Sequence, residues 1–268
     1  MPITTGPFTR ERRRSPIALL LHCGLPPAVG WSLAKVMEKA SGTPFSTLGI
    51  MLLLGGIGSA YTVDRLIDSP TLTLDDSPTK LEEALRAVTL GFLCFTLFAT
   101  LRAEVSLQVG ALLLGVITLA YTKLKRLPFA KTVILAGAWT WACATLPFAG
   151  TENPPRWWTL DVILPLLLLL AGNGILCDLK DRKHDCDDDV PTLPALIGPH
   201  RTCRIVTGIL LLSVALSTGQ GYPGIGLSGA ALALAAQFPD LMEREIIGPL
   251  IADSILILPG ALIYLGVV

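Results

Sequence analysis

Asp178-Leu-Lys-Asp181-Arg-Lys-His-Asp185-Cys-Asp187-Asp188-Asp189 closes an apolar run over 159–177 and leads into Val190-Pro-Thr192-Leu193-Pro194-Ala-Leu-Ile-Gly198. A second acidic stretch, Tyr61-Thr-Val-Asp64-Arg65-Leu-Ile-Asp68 followed by Asp75 and Asp76, closes another apolar run over 45–63. The two stretches hold ten of the thirteen aspartates. The 268-residue chain is otherwise 51% hydrophobic and 16% charged, with a mean hydropathy of +0.61. A soluble domain carries about 25% charged residues, so the deficit predicts lipid as the solvent. Zero net charge and the lack of a basic, aromatic-interleaved motif argue against nucleic acid as a partner.

A membrane-spanning helix needs about 20 mostly apolar residues. Nine such runs are expected, at 17–38, 45–63, 83–101, 103–122, 129–149, 159–177, 203–219, 223–239 and 247–267. The turn signal Gly219-Gln-Gly-Tyr-Pro223 separates the seventh from the eighth. The expected fold is all-α: a polytopic membrane protein of about nine helices bundled around a central apolar cavity with a polar cytoplasmic mouth. The basic tail over 1–15, with Arg10, Arg12, Arg13 and Arg14, precedes a first run that reads as a retained span rather than a cleaved signal. Positive charge then orients the chain. The tail, Arg65, Lys80, Lys123, Lys125, Arg126, Lys131, Lys180, Arg182, Lys183, Arg201, Arg204 and Arg244 fall on one side, and Lys39, Arg102 and Arg156 on the other. Both acidic stretches and the N-terminus are therefore expected in the cytoplasm, in a cell inner or plasma membrane or its equivalent, with the C-terminus outside. Six singly placed cysteines form no CxxC or Cys/His zinc pattern. No linker divides the chain, so 1–268 reads as one domain. The acidic stretches end the second and sixth runs, which suggests two related halves.

Asp64 and Asp68 are four apart and share one face of a continuing helix, with Tyr61 one turn inward and Pro70 as the stop. Positions 174, 178, 181 and 185 follow a helical stripe, which aims Asp178, Asp181 and Asp185 the same way. Stacked like charges repel, and a charge at a bilayer midplane costs roughly 2.5–3.5 kcal/mol. Cations at the interface remove both objections. Magnesium takes oxygen ligands and is held by one or two carboxylates plus substrate phosphates. Two facing carboxylate pairs seat two such ions around a diphosphate. The plainer alternative is a pair of solvated acidic loops, against which their position at span ends in a basic face argues. His184 and Asp187 to Asp189 read as solvated. His22 and Asp253 are ionisable groups inside spans and so are functional candidates, while Trp157 and Trp158 read as an interfacial belt.

The DxxDxxxD of Asp178, Asp181 and Asp185, followed by the TLPxxxG of Thr192 to Gly198, resembles the second aspartate motif of the UbiA superfamily of membrane prenyltransferases. Asp64-Arg65-Leu-Ile-Asp68 is similar to the later half of that family's first motif, and Tyr121-Thr-Lys-Leu-Lys125-Arg126 to its tyrosine and LKR loop. Ala60 and Tyr61 replace the Asn-Asp that opens the first motif, and Asp189 replaces a common glycine after the second. The resemblance implies a nine-helix fold and Mg2+ as cofactor. It implies transfer of a prenyl group from a polyprenyl diphosphate to a lipophilic acceptor, within membrane lipid and with no obligate protein partner. It implies Asp64, Asp68, Asp178, Asp181 and Asp185 as metal ligands, the first four of them catalytic. Arg65, Tyr121, Lys125 and Arg126 would then bind the diphosphate. Trp139 and Trp141 are available to face a carbocation, although core packing is the commoner use of such residues. The competing readings are a membrane terpene cyclase acting on the same diphosphate and a non-catalytic isoprenoid-binding or cation-transport protein.

Overall fold

The computed structural model describes residues 16–67, 80–124, 127, 129–156, 160–187 and 189–267. Among these residues all regular structure is helical. The chain runs α1 (Pro16–Ser41), α2 (Thr47–Ile67), α3 (Lys80–Arg102), α4 (Val105–Leu124), α5 (Ala130–Thr145) and α6 (Ile163–Asp178). Two short helices follow, α7 (Arg182–Asp187) and α8 (Leu193–Ile197), and then α9 (Pro199–Gly219), α10 (Pro223–Ala235), a one-turn α11 (Pro239–Met242) and α12 (Ile247–Tyr264). Helices of 13 residues or more thus occupy each of the nine expected runs among the described residues.

Four stretches are long and apolar enough to cross a bilayer, Thr47–Asp64, Glu83–Arg102, Pro199–Gly219 and Ile247–Tyr264, counted over the described residues. Several helices are shorter than the runs that predict them, α5 with 16 residues among them. The sixth helix has 16 residues and α10 has 13, which at 1.5 Å per residue reach about 24 and 20 Å against a hydrocarbon core of about 30 Å. For α10 the cause is Pro239, which disfavours helical geometry in the residue before it. Phe238 sits at φ −117° and ψ 66°, and the chain restarts as α11.

The bundle is a ring in which α1 packs on α2 and α12, α2 on α3, α5 on α6, α6 on α9, α9 on α10, and α10 on α12. Lipid tails give helices no hydrophobic reason to associate, so close packing and polar contacts must hold them. The α1–α12 seam shows how. Pro259 lies inside α12 and has no amide for the carbonyl of Ile255. Ser228 of α10 supplies that bond instead, its Oγ donating to Ile255 O at 3.0 Å. At the next two residues, Ser32 of α1 donates to the carbonyls of Leu256 and Ile257 at 3.0 and 2.9 Å and accepts from the Gly260 amide at 2.8 Å. A side chain at Gly260 would put its Cβ 2.5 Å from the Ser32 Cα, so this contact requires glycine. On α3 and α4, Leu90, Leu97, Leu101, Val105 and Leu112 are each more than half exposed, the pattern of a lipid-facing wall.

The ends of α6 differ in kind. At its start, the Tyr222 hydroxyl donates to Asp161 Oδ1 at 2.7 Å, tying the α9–α10 turn to the entry of α6. At its finish lies the second acidic stretch.

Candidate active site

The helical stripe through Asp178, Asp181 and Asp185 does not come from one continuous helix. The sixth helix ends at Asp178. A tighter turn follows, in which the Leu179 amide donates to Leu176 O at 3.2 Å and the Asp181 amide to Asp178 O at 3.1 Å. The chain then re-enters helix as α7. The tightening keeps the three carboxylates together, and they converge on a single ammonium. Lys131 Nζ, from the first turn of α5, lies 2.7 Å from Asp178 Oδ1, 3.5 Å from Asp185 Oδ2 and 4.0 Å from Asp181 Oδ2. Asp178 and Asp185 are 5% and 6% exposed, whereas the Asp181 side chain is 39% exposed and also faces Lys180 Nζ at 3.3 Å.

The segment after α7 fixes the third carboxylate. Thr192, at the head of the Thr-Leu-Pro sequence, donates its hydroxyl to Asp185 Oδ2 at 3.0 Å. The Val190 amide donates to Asp185 O at 2.8 Å, while Asp189 takes a left-handed φ of 54° to make that turn. A residue with a short polar side chain tolerates this conformation better than most. An open recess of about 320 Å³ lies beside Asp185, lined also by Asp189 and Val190. Arg182 Nε pairs with Glu243 Oε1 at 3.1 Å and so anchors α7 to the segment between α11 and α12.

The first acidic stretch begins in the last two turns of α2. Asp64 is exposed in the last turn of α2, and Arg65 follows it in that helix. One turn inward, Tyr61 packs edge-on against Trp139 of α5, ring centroids 6.1 Å apart at 73°. Lys131 thus joins the start of α5 to the end of α6, and the Tyr61–Trp139 contact joins α2 to the middle of α5. Asp68, Lys125, Arg126, Trp157 and Trp158 lie outside the described residues, as do the side chains of Arg65, Tyr121 and His22.

Two participants carry no motif signal. Lys131 reads in the sequence as one more cytoplasmic-side cation; its signal is that three clustered carboxylates need a counter-charge and it opens the apolar run over 129–149. Asn173 sits on α6 one turn inside Cys177, 8% exposed. Its Nδ2 donates to Asp253 Oδ1 at 3.3 Å, and its Oδ1 is buried with no hydrogen-bond partner. The bond gives Asp253, an ionisable group within a span, one hydrogen-bond donor.

Among the described residues no group of three or more His, Cys, Asp and Glu side chains is placed to hold a metal ion by itself. Magnesium does not need one, because it keeps several waters and is usually held by one or two carboxylates plus phosphate oxygens. The donor set fits it in kind: hard oxygens only, partly solvent-facing through Asp181, with three carboxylates against the two lysines Lys131 and Lys180.

The UbiA prenyltransferase family model matches residues 43–245. Among solved structures, an apo UbiA homologue from Aeropyrum pernix K1 superposes with a TM-score of 0.60 at 17% identity, over 89% of this chain and 98% of that one. A UbiA homologue from Archaeoglobus fulgidus bound to DMAPP and Mg2+ gives 0.53 at 16% identity, over 90% and 97%. The complex of a homologue from the same organism with GPP and Mg2+ gives 0.54 at 15% identity, with the same coverage. No curated protein matches the chain. A match that takes in both acidic stretches and well over half of the sequence places this protein in the UbiA prenyltransferase family.

Proposed function

We propose that this chain is an integral membrane prenyltransferase, an alkyl-group transferase that moves the prenyl group of a polyprenyl diphosphate onto a lipophilic acceptor with Mg2+. The observation that carries the reading is the knot of Asp178, Asp181 and Asp185 at the end of an apolar helix. The UbiA homologues bound to DMAPP or GPP with Mg2+ support it. In this reading the chain is one membrane domain over 1–268, with its N-terminus and acidic stretches cytoplasmic.

Asp178, Asp181, Asp185, Asp64 and Asp68 are the proposed magnesium ligands. Bound magnesium supplies Lewis-acid neutralisation of the charge that builds on the departing diphosphate. Arg65, Lys125 and Arg126 hold diphosphate oxygens through charge-assisted hydrogen bonds, and the Tyr121 hydroxyl adds one donor. Thr192 and Lys131 hold Asp185 and Asp178 in place, so those two acceptors need little reorganisation. The prenyl chain lies between apolar helices, which keep water from the reacting carbon. Tyr61 and Trp139 offer aromatic surface to a nearby cation, worth on the order of 0.5–2 kcal/mol each.

Tyr61, which with Ala60 stands where the family's first motif has two polar residues, favours one second reading: a cyclase in which the prenyl chain attacks itself. Product identity separates the two. The test incubates purified full-length protein with a series of radiolabelled prenyl diphosphates, Mg2+ and an extract of membrane lipids, with EDTA as the control. Transfer predicts an acceptor-linked, organic-soluble product and released diphosphate, both abolished by EDTA. A hydrocarbon product without acceptor supports the cyclase. Folded protein that turns over no chain length overturns both.

A further inference from the structure

Lys131 opens α5, and the chain sets it there abruptly. Phe129, the residue before the helix, holds φ at 60° and ψ at −4°, a left-handed conformation that is costly for a bulky side chain. The turn delivers the ammonium of Lys131, 16% exposed as a side chain, into the centre of three carboxylates from another part of the chain. Two of these are more than nine-tenths buried, so water screens the attraction little.

We propose that Lys131 is a tethered cation standing in for one divalent ion at the second acidic stretch, so that this chain loads a single divalent cation where two facing carboxylate sets would seat two. The inference deepens the magnesium-dependent reading above and rests on it. Its first support is geometric: the Asp178 oxygen that faces the centre of the knot is already bonded to Lys131 at 2.7 Å. The second is charge. Asp178, Asp181 and Asp185 bring three negative charges and Lys131 and Lys180 two positive ones, which leaves one. That is too little to hold two dications and enough, with Asp64, to balance one. The third lies across the site. Ala60 and Tyr61 supply no carboxylate or amide oxygen from their side chains, and Tyr61 is turned onto Trp139. Fewer donors on one wall and a fixed cation on the other agree. Lys131 is on this account a positioning residue that sets metal number.

The test counts Mn2+, a magnesium substitute visible by electron paramagnetic resonance, on purified full-length protein in detergent. The wild type is expected to bind one Mn2+ per chain, K131R the same, and K131Q either a second ion or the first about tenfold more tightly, because a positive charge beside the metal has gone. Two ions on the wild type, or K131Q unchanged in number and within twofold in affinity, overturn the proposal. A purely structural lysine would lower the thermal stability of K131Q and leave the Mn2+ count alone. If K131Q fails to fold, the wild-type count decides: one supports the proposal and two overturns it. A wild type that binds none while K131Q binds one overturns the proposal and leaves the magnesium reading standing only for the variant. No Mn2+ on either protein overturns both.

Discussion

The pair of Asp178 and Lys131 separates what holds the site together from what makes it react. Asp178 is 5% exposed and its oxygen lies 2.7 Å from the Lys131 ammonium. Removing one member of a buried pair leaves the other uncompensated, at a cost of about 3–5 kcal/mol. Here Asp185 remains 3.5 Å from the ammonium, so D178N is expected at or below the low end, about 2–3 kcal/mol. K131Q leaves two buried carboxylates facing each other and is expected to cost about as much. The double variant D178N/K131Q removes both charges at once. Its loss should fall short of the sum of the singles by about 1–3 kcal/mol, the usual coupling for groups in contact. Turnover should behave differently. A lost metal ligand withdraws several kcal/mol of charge stabilisation, which at about 1.4 kcal/mol per tenfold is roughly 10²–10³ in rate. K131Q restores no ligand, so D178N/K131Q should regain stability and stay inactive. Thermal unfolding in detergent gives the first quantity and diphosphate release the second. Additive stability losses, or D178N turnover within tenfold of the wild type, would refute the account.

Asp64→Ala should leave expression and membrane insertion intact, since Asp64 is exposed at the end of α2, and abolish diphosphate release; retained turnover would remove it from the ligand set. Thr192→Val deletes a 3.0 Å bond to a buried carboxylate, worth about 1.5–3 kcal/mol. It should raise the Mg2+ concentration for half-maximal turnover severalfold, and a magnesium titration superimposing on the wild type would show that Thr192 does not orient Asp185. Gly260→Ala forces α12 from α1, because the added Cβ meets the Ser32 backbone at 2.5 Å. Overpacking of this kind costs about 1–3 kcal/mol, and an unfolding temperature equal to that of the wild type would contradict the close contact.

The helices are legible in the sequence because lipid leaves the chain little choice. Backbone groups must be satisfied within the segment, and an apolar run of sufficient length announces a helix whatever its neighbours are. The runs over 45–63 and 247–267 became α2 and α12 on this ground. The acidic stretches are legible for the same reason, since a carboxylate is conspicuous where nearly everything else is hydrocarbon. What the one-dimensional pattern hides is which charges meet. Lys131 is forty-seven positions before Asp178, and in a tally of positive charges it is indistinguishable from Lys123. Only the packing of α5 on α6 makes it the counter-ion. Asn173 and Asp253 are likewise eighty positions apart, and neither alone reveals that the amide of one bonds the carboxylate of the other inside the bundle. Even the stripe over 174, 178, 181 and 185 carried its meaning through a break. Spacings of three and four survive a single tightened turn, because 178 to 181 is one turn of either helix type. Side-chain direction was therefore better specified than helix continuity. The same asymmetry explains the first stretch: Tyr61 in place of an acidic residue looks like a defect in a motif, and is instead half of an aromatic contact with Trp139. The partner that gives it a purpose comes from a helix that carries no motif of its own.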